Sequence, residues 1–131
     1  MNTENLIEGA EFLEQLELEP CDQFDIGRFI ERFVDGKGCG TAACALGWMA
    51  LHNKFGLMEW NDTVKLQHTA RSGFVAARDV FDITRDESKW LFHGSSYRMA
   101  QYKVTKEMVA ARMRWLAAGG NIENPKESTD A

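Results

Sequence analysis

The sequence predicts an all-α protein, a compact single-domain bundle of five or six helices with a mostly buried central helix. Three observations carry that expectation. Apolar residues recur three and four apart in several segments. Two-residue alternation is not evident, and strand formers are scattered. Thr, Pro and Gly stand where helices would start and stop.

The first helix is expected over 4–18, where Leu6, Ile7, Ala10, Leu13 and Leu16 fall at helical spacing and Glu8, Glu11 and Glu14 face away. Pro20 ends it, because the residue before a proline is pushed out of the α region. Phe24, Ile26, Phe29, Ile30 and Phe33 then read as a short aromatic helix stopped by Gly36 and Gly38. Thr41 is a suitable N-cap for the central helix, in which Ala42, Ala43, Ala45, Leu46, Met49 and Ala50 leave almost no polar face. Gly47 costs about 1 kcal/mol of helix propensity relative to Ala, which predicts a packing reason for it. The close approach of another helix would be one.

KFGLMEWND reads as a turn or loop. A fourth helix is expected over 63–82, with Leu66, Ala70, Phe74, Ala77 and Phe81 inward and a kink or division at Ser72–Gly73. Thr84 and Glu87 have capping-box spacing and start a helix with Trp90, Leu91 and Phe92 on its apolar side. HGSSYRMAQYK is a loop, and Thr105 caps a last helix that carries Met108, Val109, Met113, Leu116 and Ala117 to the stop at Gly119–Gly120. The domain therefore spans 1–120, and 121–131 is a polar, frayed tail.

Composition narrows the function classes. Hydrophobic residues make 44% and charged residues 27%, an ordinary globular balance. No apolar run approaches the roughly 20 residues that span a bilayer. MNTENLIEGAEFLEQ lacks the basic start and cleavage site of a secretory leader, and three cysteines are too few for a disulfide scaffold. The expectation is a cytoplasmic protein with no membrane partner. The net charge of −5 is unevenly spread, acidic in the first half and basic from about 67 to 114. No glycine-rich loop, zinc finger or helix-turn-helix pattern favours nucleic acid.

The densest chemistry is KGCGTAACALGWMA, with Cys39, Gly40, Thr41, Cys44, Gly47 and Trp48. A structural zinc needs four ligands, usually in close pairs. Cys39 and Cys44 are one poor half, and on a helix His52 would lie roughly 12 Å from Cys44, too far to share an ion. No metal or other cofactor is expected. At a helix start the dipole would lower the Cys44 thiol pKa, but no histidine lies nearby in sequence as a base. A Cys39–Cys44 disulfide fits a helix start geometrically, and a reducing cytosol would keep it open. The stretch is therefore read as a helix-start and packing motif.

CGTAAC followed by GW resembles a motif of small uncharacterised helical proteins, often phage or prophage encoded. In that group an FD pair precedes it, as Phe24–Asp25 does here. Phe81–Asp82–Ile83–Thr84 with Leu91–Phe92, and the helix from Thr105 to Leu116, are similar to its later segments. The likeness covers about residues 24–116. It implies a helical fold and a phage or bacterial origin, and it carries no activity.

No catalytic constellation is recognised, so a non-enzyme is expected. The first functional reading is a protein-binding accessory or inhibitor protein with an unknown protein partner. Its candidate anchors are Trp60, Trp90, Tyr97 and Tyr102, in or beside loops. The alternative is a binder of a small anion or signalling nucleotide. Arg71 and Arg78 lie seven apart on one helix face, and Arg112 and Arg114 mark the last helix. Arginine forks suit phosphates.

Overall fold

A computed structural model describes residues 1–32 and 40–123. Its architecture is mixed rather than all-α: five α-helices are accompanied by two small β-sheets. The order is α1 (Thr3–Gln15), β1 (Gln23–Phe24), β2 (Ile30–Arg32), β3 (Thr41–Ala43), α2 (Ala45–Leu51), β4 (Leu57–Trp60), β5 (Thr63–Leu66), α3 (Phe74–Phe81), α4 (Arg85–Phe92) and α5 (Lys106–Ala117). Short 3₁₀ turns occupy Lys54–Gly56, Gly94–Tyr97 and Gln101–Lys103. The helical bundle that the sequence, and its resemblance to small helical proteins, led one to expect is corrected on this point.

The aromatic helix expected to begin at Phe24 is replaced, through residue 32, by two strands and a turn. Asp25 is the reason. Its carboxylate accepts the Gly27 N–H at 2.9 Å, and its carbonyl accepts the Arg28 N–H at 3.2 Å. Such a local turn competes with helix. The freed backbone pairs with β3 instead. β1 runs parallel to β3, β2 runs antiparallel on its other side, and the sheet order is β1-β3-β2. Phe33, Gly36, Gly38 and Cys39, and residues 124–131 of the expected tail, lie outside the described residues.

Thr41 therefore opens a strand and does not cap a helix; its N–H donates to the Asp22 carboxylate at 2.9 Å. The central helix starts four residues later, with extended Cys44 at its N-cap position and no side-chain capping bond. Its burial is as expected, since every residue from Ala45 to Ala50 is buried.

The helix expected over 63–82 is likewise divided. LMEW and TVKL form an antiparallel hairpin, Leu57 opposite Leu66 and Trp60 opposite Thr63. Asn61 and Asp62 between them both have positive φ, 50° and 59°, the two-residue turn whose twist matches paired strands. Gly73, at φ 61°, stands at the N-cap of α3, so the break expected at Ser72–Gly73 is real.

The other helices follow their sequence signals. Thr84 and Glu87 form both bonds of a capping box, at 2.8 and 3.1 Å, and start α4. Thr105 accepts the Met108 N–H at 3.2 Å and starts α5. α5 packs along α1, where Leu6, Ala10 and Leu13 meet Val109, Met113 and Leu116 in one apolar core. At the end of α1, Lys106 Nζ donates to the Leu13 carbonyl at 2.7 Å, satisfying an acceptor the helix leaves open.

Candidate functional site

The cysteine motif is a packing device around β3 and α2. A Cβ placed on Gly47 would collide with the Phe29 carbonyl oxygen. The residue is glycine because the chain entering β2 crosses α2 there, not because a second helix does. Trp48 ties α2 to β1 through its indole N–H, which donates to the Gln23 carbonyl at 3.1 Å. Cys44 is buried, and burial pushes its thiol pKa up to about 11 against weaker opposing bonds from the backbone of Gly47 and Leu46. The lowering expected from a helix start is overcome by desolvation. At neutral pH the group is a thiol and a poor nucleophile. Among the described residues, no three of His, Cys, Asp and Glu gather to hold a metal ion.

The four candidate interface aromatics separate into two pairs. Tyr97 is buried, and its hydroxyl donates to the Leu91 carbonyl at 2.6 Å. Trp90 is partly covered. Both face Arg112, whose guanidinium carbon lies 3.7 Å from the Tyr97 ring centroid and 4.5 Å from that of Trp90. Trp60 and Tyr102 remain outside, 51% and 83% exposed.

The candidate arginines separate as well. Arg112 is only 5% exposed and acts as a brace. Its Nη1 donates to the Trp90 carbonyl at 2.7 Å and the Ser96 hydroxyl at 3.0 Å, and its Nη2 to the Ser96 carbonyl at 3.1 Å. Arg114 is committed to Glu14 by two bonds, at 2.9 and 2.7 Å, and Arg71 to Asp79 by two, at 2.7 and 3.1 Å. Each carboxylate is held below its ordinary pKa, first by the hydrogen bond from its arginine.

Arg78 is different. Its Nε is buried and has no hydrogen-bond partner. It lines a groove of 230 Å³ between α3 and α4, together with Phe74, Val75, Arg85, Ser88, Lys89 and His93. Helix geometry assembles this wall: Arg85, Lys89 and His93 follow one another at four-residue steps down α4 and just past its end. The Ser88 hydroxyl donates to the Phe74 carbonyl at 3.2 Å and fixes α4 against the start of α3. His93 Nδ1 accepts the Ser95 N–H at 3.1 Å, which leaves Nε2 as the donor of the neutral ring. Arginines and a lysine thus meet in a groove lined by no carboxylate.

Of the four arginines singled out in the sequence, only Arg78 belongs to this groove. Arg85, Lys89 and His93 complete it, and their four-residue spacing on a capped helix is the sequence signal for them. Comparison of the chain with protein-family models, with curated proteins and with solved structures yields no match. None of the helices is long and apolar enough to cross a membrane among the described residues.

Proposed function

We propose that the protein binds a small phosphate-type oxyanion in the α3–α4 groove. The observation that carries this reading is the orphaned Arg78 Nε, a buried donor beside Arg85, Lys89 and His93 and no lining carboxylate. An unsatisfied buried donor costs about 1–3 kcal/mol, and an oxyanion would recover it. Guanidinium forks match the oxygens of an oxyanion two at a time, which a halide cannot offer. The four-residue wall of α4 and the facing Arg78 would enclose such an ion from two sides.

The test is thermal unfolding with inorganic phosphate and pyrophosphate at constant ionic strength. Free ligand at about 100 times Kd should stabilise the fold by roughly 2.7 kcal/mol. Arg78→Gln should remove the shift. No shift with either ion, at any concentration up to tens of millimolar, would refute the reading.

A second reading is docking of a protein partner, favoured by Trp60. This tryptophan is half exposed at the tip of the β4–β5 hairpin, with Lys65 Nζ 5.7 Å from its ring centroid. Exposed tryptophans are frequent interface anchors. The buried Tyr97 and the braced Trp90 do not contribute to that surface.

A further inference from the structure

The cationic groove has a neighbour that shares two of its lining residues. Phe74 and His93, with ring centroids 5.8 Å apart, also line a second hollow of 160 Å³. This recess is mostly apolar. Its walls are Ile26, Phe29, Phe74 and the two glycines Gly27 and Gly94, with the buried Cys44 behind. Arg28, at its mouth, is engaged by Asp25 and Glu31 and adds little net charge. The two hollows together reach the lower part of the roughly 300–1,000 Å³ typical of small-ligand sites.

We infer that the ligand of this composite site is a mononucleotide, its phosphate in the Arg78–Arg85–Lys89 groove and its flat heterocycle in the recess beside Phe29 and Phe74. The inference rests on the oxyanion reading above and adds the organic part of the ligand. Three features select a heterocycle over a plain hydrocarbon ring. Two glycines in the wall carry no side chain, which leaves the room that the Gln101 carboxamide takes up beside the recess. Gln101 folds its carboxamide over both, since a Cβ on either glycine would strike it. That carboxamide has no hydrogen-bond partner among the described residues. It offers a donor and an acceptor side by side, the complement of a nucleobase edge and of nothing on a phenyl ring. Phe74 and His93, shared by both hollows, would sit against the sugar.

The experiment is isothermal titration of the full chain with eight probes: pyrophosphate, ribose 5-phosphate, phenyl phosphate, adenosine, AMP, GMP, CMP and UMP. At least one nucleotide is expected to bind ten-fold or more tightly than ribose 5-phosphate and phenyl phosphate. Gln101→Ala, an exposed truncation that leaves the core intact, should erase most of that margin and leave pyrophosphate affinity unchanged. Equal affinity for nucleotides and ribose 5-phosphate would overturn the nucleotide inference and leave the oxyanion reading standing. Equal or tighter binding of phenyl phosphate would also overturn it, in favour of a phosphorylated aromatic side chain. Absence of binding by every phosphate, pyrophosphate included, would overturn both. A nucleotide margin that survives in Gln101→Ala would place the base elsewhere and refute the assignment of the recess.

Discussion

Arg71 grips Asp79 with two parallel bonds, Nε to Oδ2 at 2.7 Å and Nη2 to Oδ1 at 3.1 Å. The pair decides what its neighbour can do. Asp79 follows Arg78 in the chain and feels its charge, but both of its oxygens accept hydrogen bonds from Arg71. Arg78 is left to the groove with an unpartnered Nε. Arg71→Ala should therefore free Asp79 to compete for Arg78 and weaken phosphate binding indirectly. Asp79→Asn in the same background should restore it. Measuring phosphate affinity for both variants checks the argument, and a direct Arg71 contact would leave the double variant impaired.

Arg112 is a structural cation, not a ligand-binding one. Removing it takes the 3.1 Å donor from the Ser96 carbonyl and one of two donors from the Trp90 carbonyl, which keeps the Ser96 hydroxyl, and it uncovers the faces of two rings. Arg112→Met should cost about 3 kcal/mol, at the upper end for an unsatisfied buried group. Denaturant unfolding reads the loss directly. A change below about 0.5 kcal/mol, typical of surface positions, would contradict the bracing role.

Gly47 stands where α2 meets the backbone of Phe29. Even Gly47→Ala adds a Cβ that the Phe29 carbonyl already excludes. Alanine normally gains about 1 kcal/mol over glycine inside a helix. Here it should instead cost roughly 1–3 kcal/mol, the usual range for overpacking. Stabilisation by this substitution would show that the crossing is looser than described.

Glu14 and Arg114 link α1 to α5 at the surface. The arginine's hydrogen bond holds the Glu14 carboxyl below its ordinary range, so the folded state binds its proton less readily than the unfolded chain does. The stability from this pair is therefore full above the ordinary glutamate pKa of about 4.3 and is lost as pH falls through the lower folded value. Both side chains are more than a third exposed, at 44% and 38%, and solvent screening limits the contribution to a few tenths up to about 1 kcal/mol. Glu14→Gln should show that deficit at pH 7 and none near pH 2. A deficit that persists in acid would mean the glutamine disturbs packing.

The helices were legible in the sequence where the signal is local. Thr84–Glu87 and Thr105 carry their own caps, and the four-residue spacing on α1 and α5 matches the faces they bury. The sheets were not, because strands of two to four residues offer too few positions for alternation to stand out. Phe24, Ile26, Phe29 and Ile30 mimic a helical face, and only Asp25 with Gly27 betrays the turn. The β4–β5 hairpin had a readable cue in Asn61–Asp62 between LMEW and TVKL. Half of the groove could have been read from Arg85, Lys89 and His93. The other half could not, because Arg78 differs from Arg71 only in which carboxylates the fold brings to each.

The most direct measurement of the oxyanion site is an NMR titration of the labelled protein with pyrophosphate, following backbone amides and the arginine Nε–H resonances. The Arg78 Nε–H should move most, with the amides of Arg85, Lys89 and His93, while the Nε–H of Arg71 and Arg114 stay with Asp79 and Glu14. Perturbations centred on Arg71 or Arg114, or none at saturating pyrophosphate, would contradict the account.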